Sequence, residues 1–482
     1  MGTMTRFFLD RIGGKTRKGG IMYDKNIVMA RRVADAVARE GGRTYYVGGC
    51  VRDQILGRDN KDIDIEVHGV SVETLEGILD RLGERLTMGA SFGIMGLRHY
   101  ELDIAMPRRE KAIGRGHRDF EVFVDPFIGP EKAARRRDFT MNALMQDVLT
   151  GEILDFFGGR EDMKRGLLRH VDDNGFGEDP LRVLRAAQFA ARFGFTVAEE
   201  TRALSAAMDL TSLPAERVMG ELEKALLKAE RPSLFFEELR RMGQLGVWFP
   251  ELQALIGLPQ NPAFHPEGDV WVHTMQVLDE AARLRAEAKE PLWFMLAALC
   301  HDLGKAVSTE CIDGVLHAYG HEKLGLPLAE AFLHRLTRET KLTQYVLNMT
   351  QLHMKPNMLA DCGAQTKSYM KMYDSAVCPE DLLLLARADH LGRIGPQEDR
   401  QALEAAYAPT EQLLRDELAL YRERMRQPYL MGRDLIEAGV QPGPQFSEAL
   451  AAAHKLRLAG RPREEQLKYA LSLIRKQRKR ET

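Results

Sequence analysis

The spacing of hydrophobic residues changes along the chain near residue 179. Before that point, short runs in which apolar and polar residues alternate predict strands at 44–47, 63–67, 121–124 and 153–157. Apolar residues at helical spacing predict helices in the same region at 26–39 and 71–82. After residue 179 almost every segment has helical spacing, as at 181–193, 215–229 and 233–245. The pattern therefore predicts an α+β protein, with a mixed α/β head followed by an all-helical body.

The composition is that of an ordinary globular protein rather than of a disordered one. The chain has 482 residues, of which 44% are hydrophobic and 29% charged, enough for about two to four folded units. Its 68 lysines and arginines stand against 70 aspartates and glutamates, which gives a net charge of -2. This balance excludes a protein that holds nucleic acid through overall basic charge, and it leaves a local basic patch open.

The cysteines and the longest apolar run bear on the cellular compartment. Five cysteines show neither CxxC spacing nor the density of a disulfide scaffold, which is typical of a reducing cytoplasm. The longest apolar run, at 292–300, ends at His301 and falls short of the roughly 20 apolar residues that cross a bilayer. A cytoplasmic location and no membrane partner are therefore expected.

The densest group of chemically active residues lies in and around the strand predicted at 63–67, within the sequence Lys61-Asp-Ile-Asp-Ile-Glu-Val67. Side chains two apart on a strand share a face, so Asp62, Asp64 and Glu66 point one way. Neighbouring carboxylates on that face are separated by ~6.6–6.8 Å along the strand and can bridge two Mg²⁺ ions ~3.5–4 Å apart. The alternation alone is also typical of an edge strand with a solvated acidic face.

A glycine pair precedes the acidic strand, in the sequence Tyr46-Val-Gly-Gly-Cys-Val-Arg-Asp53. Gly48 and Gly49 follow a predicted strand and let backbone N–H groups approach a triphosphate closely. Arg52 adds a cationic donor. A glycine pair is weak evidence by itself, but its position just before paired carboxylates favours a phosphate-binding site.

Two further motifs combine arginines with an acid. Arg135-Arg-Arg-Asp-Phe-Thr-Met-Asn-Ala-Leu144 offers three planar guanidiniums suited to phosphates, or else forms a solvated basic turn before a helix capped by Asp138. Glu178-Asp-Pro-Leu-Arg-Val-Leu-Arg-Ala-Ala187 has helix-start residues in Asp179 and the proline that follows it. Its acid and first arginine, three residues apart, offer acceptors and donors to a base edge, or form an ordinary surface ion pair.

These motifs resemble the nucleotidyltransferase superfamily, and within it the class II tRNA nucleotidyltransferase (CCA-adding) and poly(A) polymerase family. The resemblance covers about residues 45–245, with several motifs in the family's order. It implies a polymerase-beta-like head with Asp62 and Asp64 as catalytic carboxylates that hold Mg²⁺, and Asp103 as a third catalytic carboxylate on a neighbouring strand. The resemblance assigns nucleotide binding to Gly48, Gly49, Arg52, Asp53, Arg137, Asp138, Asn142, Asp179, Arg182 and Arg185.

A second constellation, in the helical region, consists of His273, His301-Asp302 and Asp389. Any one of these histidines is more simply a core or surface residue, but together they suit a divalent metal. The set resembles the HD phosphohydrolase superfamily, and 264–274 and 301–305 look like the HD domain fused to many bacterial CCA-adding enzymes. The resemblance implies metal-dependent hydrolysis of phosphomonoesters or 2′,3′-cyclic phosphates, with Ni²⁺ or Mn²⁺ as candidate ions, and places additional histidines at His321 and His353.

The first hypothesis is a tRNA nucleotidyltransferase that adds CCA to tRNA 3′ ends from CTP and ATP, with tRNA as its partner. The alternatives are a poly(A) polymerase, a partial CC- or A-adding enzyme, and an HD phosphohydrolase whose head only binds RNA. The oligomeric state is left open. The expected segments are a flexible extension (1–22), a nucleotidyltransferase head (23–150), neck and RNA-binding helices (151–255), an HD domain (256–395) and a helical tail (396–482).

Overall fold

The computed structural model describes residues 20–58, 62–88, 94–112, 120–395 and 397–481. The chain divides into two compact units, Met1–Leu210 and Thr211–Thr482. Residues 1–19 of the expected extension lie outside the described residues, and residues 20–22 already belong to the first helix.

The first unit is built on strands. Its strands are β1 (Arg43–Val47), β2 (Ile63–His68), β3 (Arg85–Met88), β4 (Ile94–Leu97), β5 (Leu102–Ala105), β6 (Arg108–Ala112), β7 (Phe120–Val124), β8 (Met145–Asp147), β9 (Ile153–Leu154), β10 (Leu167–Leu168) and β11 (Thr196–Val197). Seven of them form one sheet in the order β3-β4-β5-β2-β1-β8-β9. Strands β2 and β5 are parallel, and the other neighbours in this sheet are antiparallel.

The acidic strand β2 lies in the middle of this sheet. Its Ile63, Ile65 and Val67 side chains are buried, as the alternation predicts. The interpretation of β2 as an edge strand is therefore wrong. Alternation cannot distinguish these positions, because a central strand also has two different faces when only one of them packs against the core.

The helices of the first unit connect and cover the strands. They are α1 (Gly20–Arg39), α2 (Gly49–Ile55), α3 (Val72–Leu82), α4 (Pro130–Arg135), α5 (Gly159–Lys164), α6 (Asp173–Gly177), α7 (Leu181–Phe193) and α8 (Glu199–Ala206). Helix α3 shows how sequence sets such an element. The Ser71 hydroxyl accepts a hydrogen bond from Thr74 N (3.2 Å) at its start, and Leu75, Ile78 and Leu79 form one buried face.

The described residues of the second unit are helical or connecting segments apart from one short strand pair, β12 (Glu310–Ile312) with β13 (Val315–His317). Its helices up to the strand pair are α9 (Ala215–Lys228), α10 (Ser233–Arg241), α11 (Leu245–Trp248), α12 (Pro250–Gln253), α13 (Val270–Leu284), α14 (Pro291–Cys300) and α15 (Lys305–Ser308). After the pair come α16 (His321–Leu324), α17 (Leu326–Leu336), α18 (Thr340–Leu352), α19 (Lys355–Asp361), α20 (Thr366–Ser375), α21 (Pro379–Leu391), α22 (Arg400–Met425), α23 (Gly432–Glu437), α24 (Gln445–Leu458) and α25 (Arg463–Glu481).

Helix α14 is the central element of the helical unit. Every residue from Phe294 to Cys300 is buried, and α14 packs against α13, α18 and α21. An all-round apolar helix of this kind lies inside a protein, so its C-terminal end is fixed by packing. This fixes the position of the two residues that follow, His301 and Asp302.

The expected fold class, a mixed α/β head followed by helices, is confirmed. The helix predicted at 181–193 matches α7 residue for residue, whereas the strand predicted at 153–157 is only the two-residue β9. The segment predicted as one helix at 233–245 breaks after Arg241. None of the described helices is both long enough and apolar enough to cross a membrane. The division into five segments stays a prediction.

Candidate functional site

Three carboxylates meet at the centre of the head's sheet. Asp62 directly precedes β2, and Asp64 is the second residue of that strand. The parallel pairing of β2 with β5 places Asp103 opposite Asp64. Asp62 and Asp103 are exposed and Asp64 is half-buried. The apolar residues that alternate with them along β2 and β5 are buried on the other face of the sheet. The structure thus brings together the three residues that the sequence predicted as the catalytic carboxylates.

The pKa of Asp64 is shifted by burial and by the neighbouring charges. Burial raises the pKa of Asp64 above its ordinary value, and the carboxylates of Asp103 and Asp62 raise it further, against the charge of Arg137. Like charges held together on a partly desolvated face are unfavourable unless a cation joins them. Carboxylate oxygens are ligands that Mg²⁺ prefers. The donor set of this face therefore fits a magnesium site.

The glycine turn borders the same face. Gly48 has φ +70°, which side chains other than glycine rarely adopt. A Cβ atom there would lie 3.2 Å from Arg137 Nη1 and 3.7 Å from Asp64 Oδ2. The side chains of Arg137 and Asp64 thus both border the turn at Gly48. Gly49 begins helix α2.

Arg137 is held by Glu66, a residue to which the sequence assigned no role beyond the acidic face. Arg137 Nη2 lies 3.5 Å from Glu66 Oε2, and His68 Nε2 lies 2.8 Å from Glu66 Oε1. Burial alone would raise the pKa of Glu66, but the hydrogen bond with His68 and the charge of Arg137 lower it below its ordinary value. Glu66 is therefore a buried carboxylate in its charged form.

Several predicted nucleotide-binding residues form one hydrogen-bonded chain. Arg52 donates through Nε to Asp53 Oδ1 (2.7 Å) and through Nη1 to Asn142 Oδ1 (2.7 Å). Asn142 Nδ2 donates to Asp138 Oδ1 (2.9 Å), and Arg185 Nη2 pairs with Asp138 Oδ2 (2.6 Å). Arg52, Asp53, Asp138 and Asn142 are all buried. This arrangement supports a positioning role, and direct contact of these residues with a nucleotide stays a prediction.

The interpretation of the motif at 135–144 as a solvated basic turn fits Arg135, which is exposed, but is wrong for the three residues that follow it. Although burial alone would raise it, the pKa of Asp138 is lowered by the charge of Arg185 and by the hydrogen bond from Asn142. Arg136 Nη1 donates to the carbonyl of Arg108, and Arg137 pairs with Glu66. From Arg136 onward the motif is thus packed into the head.

In the motif at 178–187, Asp179 and Pro180 directly precede helix α7, and Pro180 rather than Asp179 occupies the N-cap position. Asp179 Oδ1 accepts a hydrogen bond from Leu181 N (3.1 Å), and the helix starts at Leu181. Arg182 donates to the carbonyls of Gly175 and Arg136, the latter at 3.1 Å. Base recognition by Asp179, Arg182 and Arg185 stays a prediction.

The second constellation assembles as expected, inside the helical unit. His273 Nε2 lies 3.2 Å from Asp389 Oδ1, 3.4 Å from Asp302 Oδ2 and 3.3 Å from His301 Nε2. All four side chains are buried. They come from helix α13, from the end of α14 and from helix α21.

Two further histidines face the opposite oxygen of Asp302. His321 Nε2 lies 3.2 Å and His353 Nε2 3.7 Å from Asp302 Oδ1, and the two nitrogens are 3.3 Å apart. Asp302 therefore belongs to two groups of metal-ligating atoms, one through each oxygen. A cavity of about 350 Å³ is lined by Asp302, both of these histidines and Asp389.

Backbone carbonyls fix the orientation of three of these imidazoles. The Nδ1 atoms of His301, His321 and His353 lie 2.7, 2.8 and 2.7 Å from the carbonyl oxygens of the residues three positions earlier. Because each Nδ1 carries the proton of that bond, each Nε2 presents a lone pair when the ring is neutral. Two nitrogens bound at ~2.0–2.1 Å to one tetrahedral ion are about 3.3 Å apart. The donor set therefore fits divalent ions.

The charge states of Asp302 and His353 are those that metal ligands require. Burial raises and Lys305 lowers the pKa of Asp302, and the net effect is well below its ordinary value. Burial and the neighbouring charge of His301 lower the pKa of His353 to about 3, so this imidazole is neutral and can bind a metal. Lys305 Nζ lies 2.7 Å from Asp302 Oδ2, and Arg393 Nη2 lies 3.1 Å from Asp389 Oδ2.

Sequence reasoning missed the carboxylate behind His273. Glu267 Oε1 lies 2.8 Å from Nδ1 of both His273 and His265. Burial opposes the shift, but the hydrogen bond with His265 and the close imidazole of His273 lower the pKa of Glu267 to about 2. A carboxylate behind a ligating imidazole orients the ring toward the metal. The signal in the sequence was the His265-Pro-Glu267 segment six residues before His273.

Family models match three parts of the chain. Residues 44–169 match the Poly A polymerase head domain, and residues 194–256 match the "Probable RNA and SrmB- binding site of polymerase A". Residues 270–394 match the HD domain. The range matched by the head domain contains the acidic strand, and the range matched by the HD domain contains the second constellation.

Solved structures share this fold. A CCA-adding enzyme in apo form II has a TM-score of 0.64 and 20% identity, with 98% of this chain and 99% of that chain covered. The CCA-adding enzyme of Thermotoga maritima complexed with tRNA_CCA has a TM-score of 0.58 and 20% identity, with 94% and 98% covered. At this identity the likeness concerns the fold.

Curated relatives are more similar in sequence. The Multifunctional CCA protein of Actinobacillus pleuropneumoniae serotype 5b (strain L20) is 37% identical over 366 residues, 73% of this chain and 86% of that protein. The protein of the same name from Thioalkalivibrio sulfidiphilus (strain HL-EbGR7) is 37% identical over 421 residues, 85% and 96% of the two chains. The resemblance found in the motifs is thereby confirmed, and the chain belongs to the family of multifunctional CCA proteins.

Proposed function

We propose that the head adds CCA to tRNA 3′ ends from CTP and ATP, with Asp62, Asp64 and Asp103 as the carboxylates that hold Mg²⁺. The observation that carries this proposal is the register that pairs Asp64 with Asp103 on the exposed face of the central strands. The match to relatives named Multifunctional CCA protein, which covers 86% and 96% of their lengths, supports CCA addition over a poly(A) polymerase. Cytoplasmic location remains an expectation of the proposal.

The chain's own groups have distinct tasks in this reaction. Asp62, Asp64 and Asp103 would hold Mg²⁺, which would supply activation of the attacking hydroxyl and charge neutralisation of the leaving pyrophosphate. The turn at Gly48 lets the backbone come close to the triphosphate, and Arg137 beside it supplies a planar donor for phosphate oxygens. The ion pair between Asp138 and Arg185 holds both side chains in place for the ribose and the base.

The test is nucleotide addition to a tRNA that lacks its terminal CCA, with Mg²⁺ and with CTP and ATP separately and together. Addition of C, C and A in that order, followed by a stop, supports the proposal. Long A tails on arbitrary RNA would instead indicate a poly(A) polymerase. Asp64→Asn abolishes addition, whereas Asp35→Asn, which removes an exposed carboxylate from α1, retains it.

We infer that the HD domain hydrolyses phosphomonoesters or 2′,3′-cyclic phosphates with divalent ions held at its buried histidines. His273, His301, Asp302 and Asp389 form one ligand group, and Asp302, His321 and His353 form another. Lys305 and Arg393 line the adjoining cavity and supply positive charge for a phosphate. Ni²⁺ and Mn²⁺ are the candidate ions, because imidazole-rich sites favour transition metals over Mg²⁺.

Hydrolysis of a 2′,3′-cyclic nucleotide with added Ni²⁺ or Mn²⁺ tests this second activity. His301→Ala removes it, while His334→Ala, a matched change at an exposed histidine of α17, does not. Hydrolysis that persists in His301→Ala would refute the assignment. A cooperative thermal transition like that of the wild type shows that His301→Ala is folded.

A further inference from the structure

Glu66 is the third acidic side chain on the face of β2 that carries Asp64, but its environment differs from that of the other two. Only 8% of Glu66 is exposed, whereas Asp62 is exposed and Asp64 half-buried. A buried carboxylate needs partners for its charge. Glu66 has two such partners, His68 on its own strand and Arg137 from the motif at 135–144.

Arg137 lies between two carboxylates. Its Nη2 atom is 3.5 Å from Glu66 Oε2, while its Nη1 atom and Asp64 Oδ2 both border the turn at Gly48. A guanidinium pairs readily with any carboxylate that it can reach, because it always carries its charge and its fork matches the two oxygens. An arginine that paired with Asp64 would occupy the oxygens needed by Mg²⁺.

We propose that Glu66 is a positioning residue that holds Arg137 beside Gly48 and off Asp64, and thereby keeps the Asp64 carboxylate available to the metal. This inference rests on the proposed role of Asp64 in the head. In this role Glu66 acts through its contact with Arg137 rather than as a metal ligand. His68 takes part by fixing the Glu66 carboxylate from the strand side through the 2.8 Å contact.

The test is a double-mutant cycle on Glu66 and Arg137 in the full-length protein. The substitutions Glu66→Gln and Arg137→Gln are made singly and together, and Mn²⁺ binding is measured by calorimetry without tRNA or nucleotide. The binding lost in Asp64→Asn defines the contribution of the head, so that Mn²⁺ bound by the HD domain cancels. The Mg²⁺ concentration for half-maximal CCA addition is measured in parallel.

Glu66→Gln weakens Mn²⁺ binding at the head about fivefold to tenfold, the effect expected of one charge-assisted hydrogen bond. Arg137→Gln alone does not weaken it, and the double variant binds Mn²⁺ as Arg137→Gln does. If Glu66 acted only through its own negative charge, the double variant would bind as weakly as Glu66→Gln. That result, or Glu66→Gln binding within about twofold of the wild type, would overturn the proposal.

Two further variants serve as a substitute for Glu66→Gln and as a control for an unrelated lost charge. Glu66→Asp keeps the charge but shortens the side chain, and it carries the test if Glu66→Gln loses its cooperative thermal transition; it shifts metal binding in the same direction. Asp35→Asn leaves metal binding unchanged. Undiminished CCA addition by Asp64→Asn would refute the proposed site as a whole, which is a different failure from an unchanged Glu66→Gln.

Discussion

Gly304→Ala tests how closely the metal-binding segments of the HD domain must pack. Gly304 lies between Asp302 and helix α15, and a Cβ atom there would be 2.0 Å from the carbonyl oxygen of His321 and 2.6 Å from Gly325 N. Both neighbours are backbone atoms that cannot rotate away. Glycine is required at this position for a close approach, because its backbone angles are ordinary.

The size of the effect follows from that distance. To reach the 3.0 Å below which Cβ atoms essentially never approach, the segment carrying His321 has to move by about 1 Å. The 3.2 Å separation of His321 Nε2 and Asp302 Oδ1 cannot survive such a shift. A displacement of about 1 Å at reacting groups costs roughly 100-fold in rate, and overpacking costs about 1–3 kcal/mol of stability.

The assay compares two activities in one preparation. Gly304→Ala lowers hydrolysis of a 2′,3′-cyclic nucleotide with Ni²⁺ by about 100-fold, while CCA addition stays within about twofold of the wild type. Gly220→Ala on helix α9 is the matched control, since a Cβ atom there has nothing within 4 Å. Wild-type hydrolysis by Gly304→Ala would refute the argument from close packing, and so would an equal loss in Gly220→Ala.

Two other predictions concern the head and the metal's competition with protons. Gly48→Ala, which imposes a side chain at φ +70° and 3.2 Å from Arg137 Nη1, raises the KM for CTP and ATP and costs about 1–3 kcal/mol of stability; wild-type nucleotide kinetics would contradict it. Burial opposes the shift, but the Asp302 charge raises the pKa of His301 and of His321, so that protons compete with metal. Metal binding by the HD domain therefore weakens as the pH falls from about 8 to about 6 and releases protons, which calorimetry in buffers of different ionisation enthalpy detects; equal affinity at both pH values would contradict it.

Local sequence patterns predicted helices and strands well where residues close in the sequence determine the structure. Helix α7 begins and ends as its apolar spacing indicates, and strand β2 buries its isoleucines as alternation requires. The position of β2 inside the sheet depends on pairing with β1 and β5, which come from other parts of the chain. Such long-range pairing has no local signal, and this is why an edge strand remained an alternative.

The same distinction between local sequence patterns and long-range pairing applies to the candidate sites. Asp62 and Asp64 could be identified from the strand itself and Asp103 from the family resemblance, but the position of Asp103 opposite Asp64 depends on the register of β2 with β5, which only the structure supplies. The pairing of Glu66 with Arg137 joins residues 71 positions apart. In the HD domain, the motif indicated the ligands, whereas the division of Asp302 between two ligand groups depends on how the helices pack.

Anomalous diffraction from crystals of the protein soaked with Mn²⁺ and CTP tests the central claim most directly. The account predicts two anomalous peaks on the exposed face of β2 and β5, ~3.5–4 Å apart, within bonding distance of the carboxylates of Asp62 and Asp64 and beside the CTP phosphates. Bound CTP with no manganese on that face, or manganese held by other residues of the head, would contradict it.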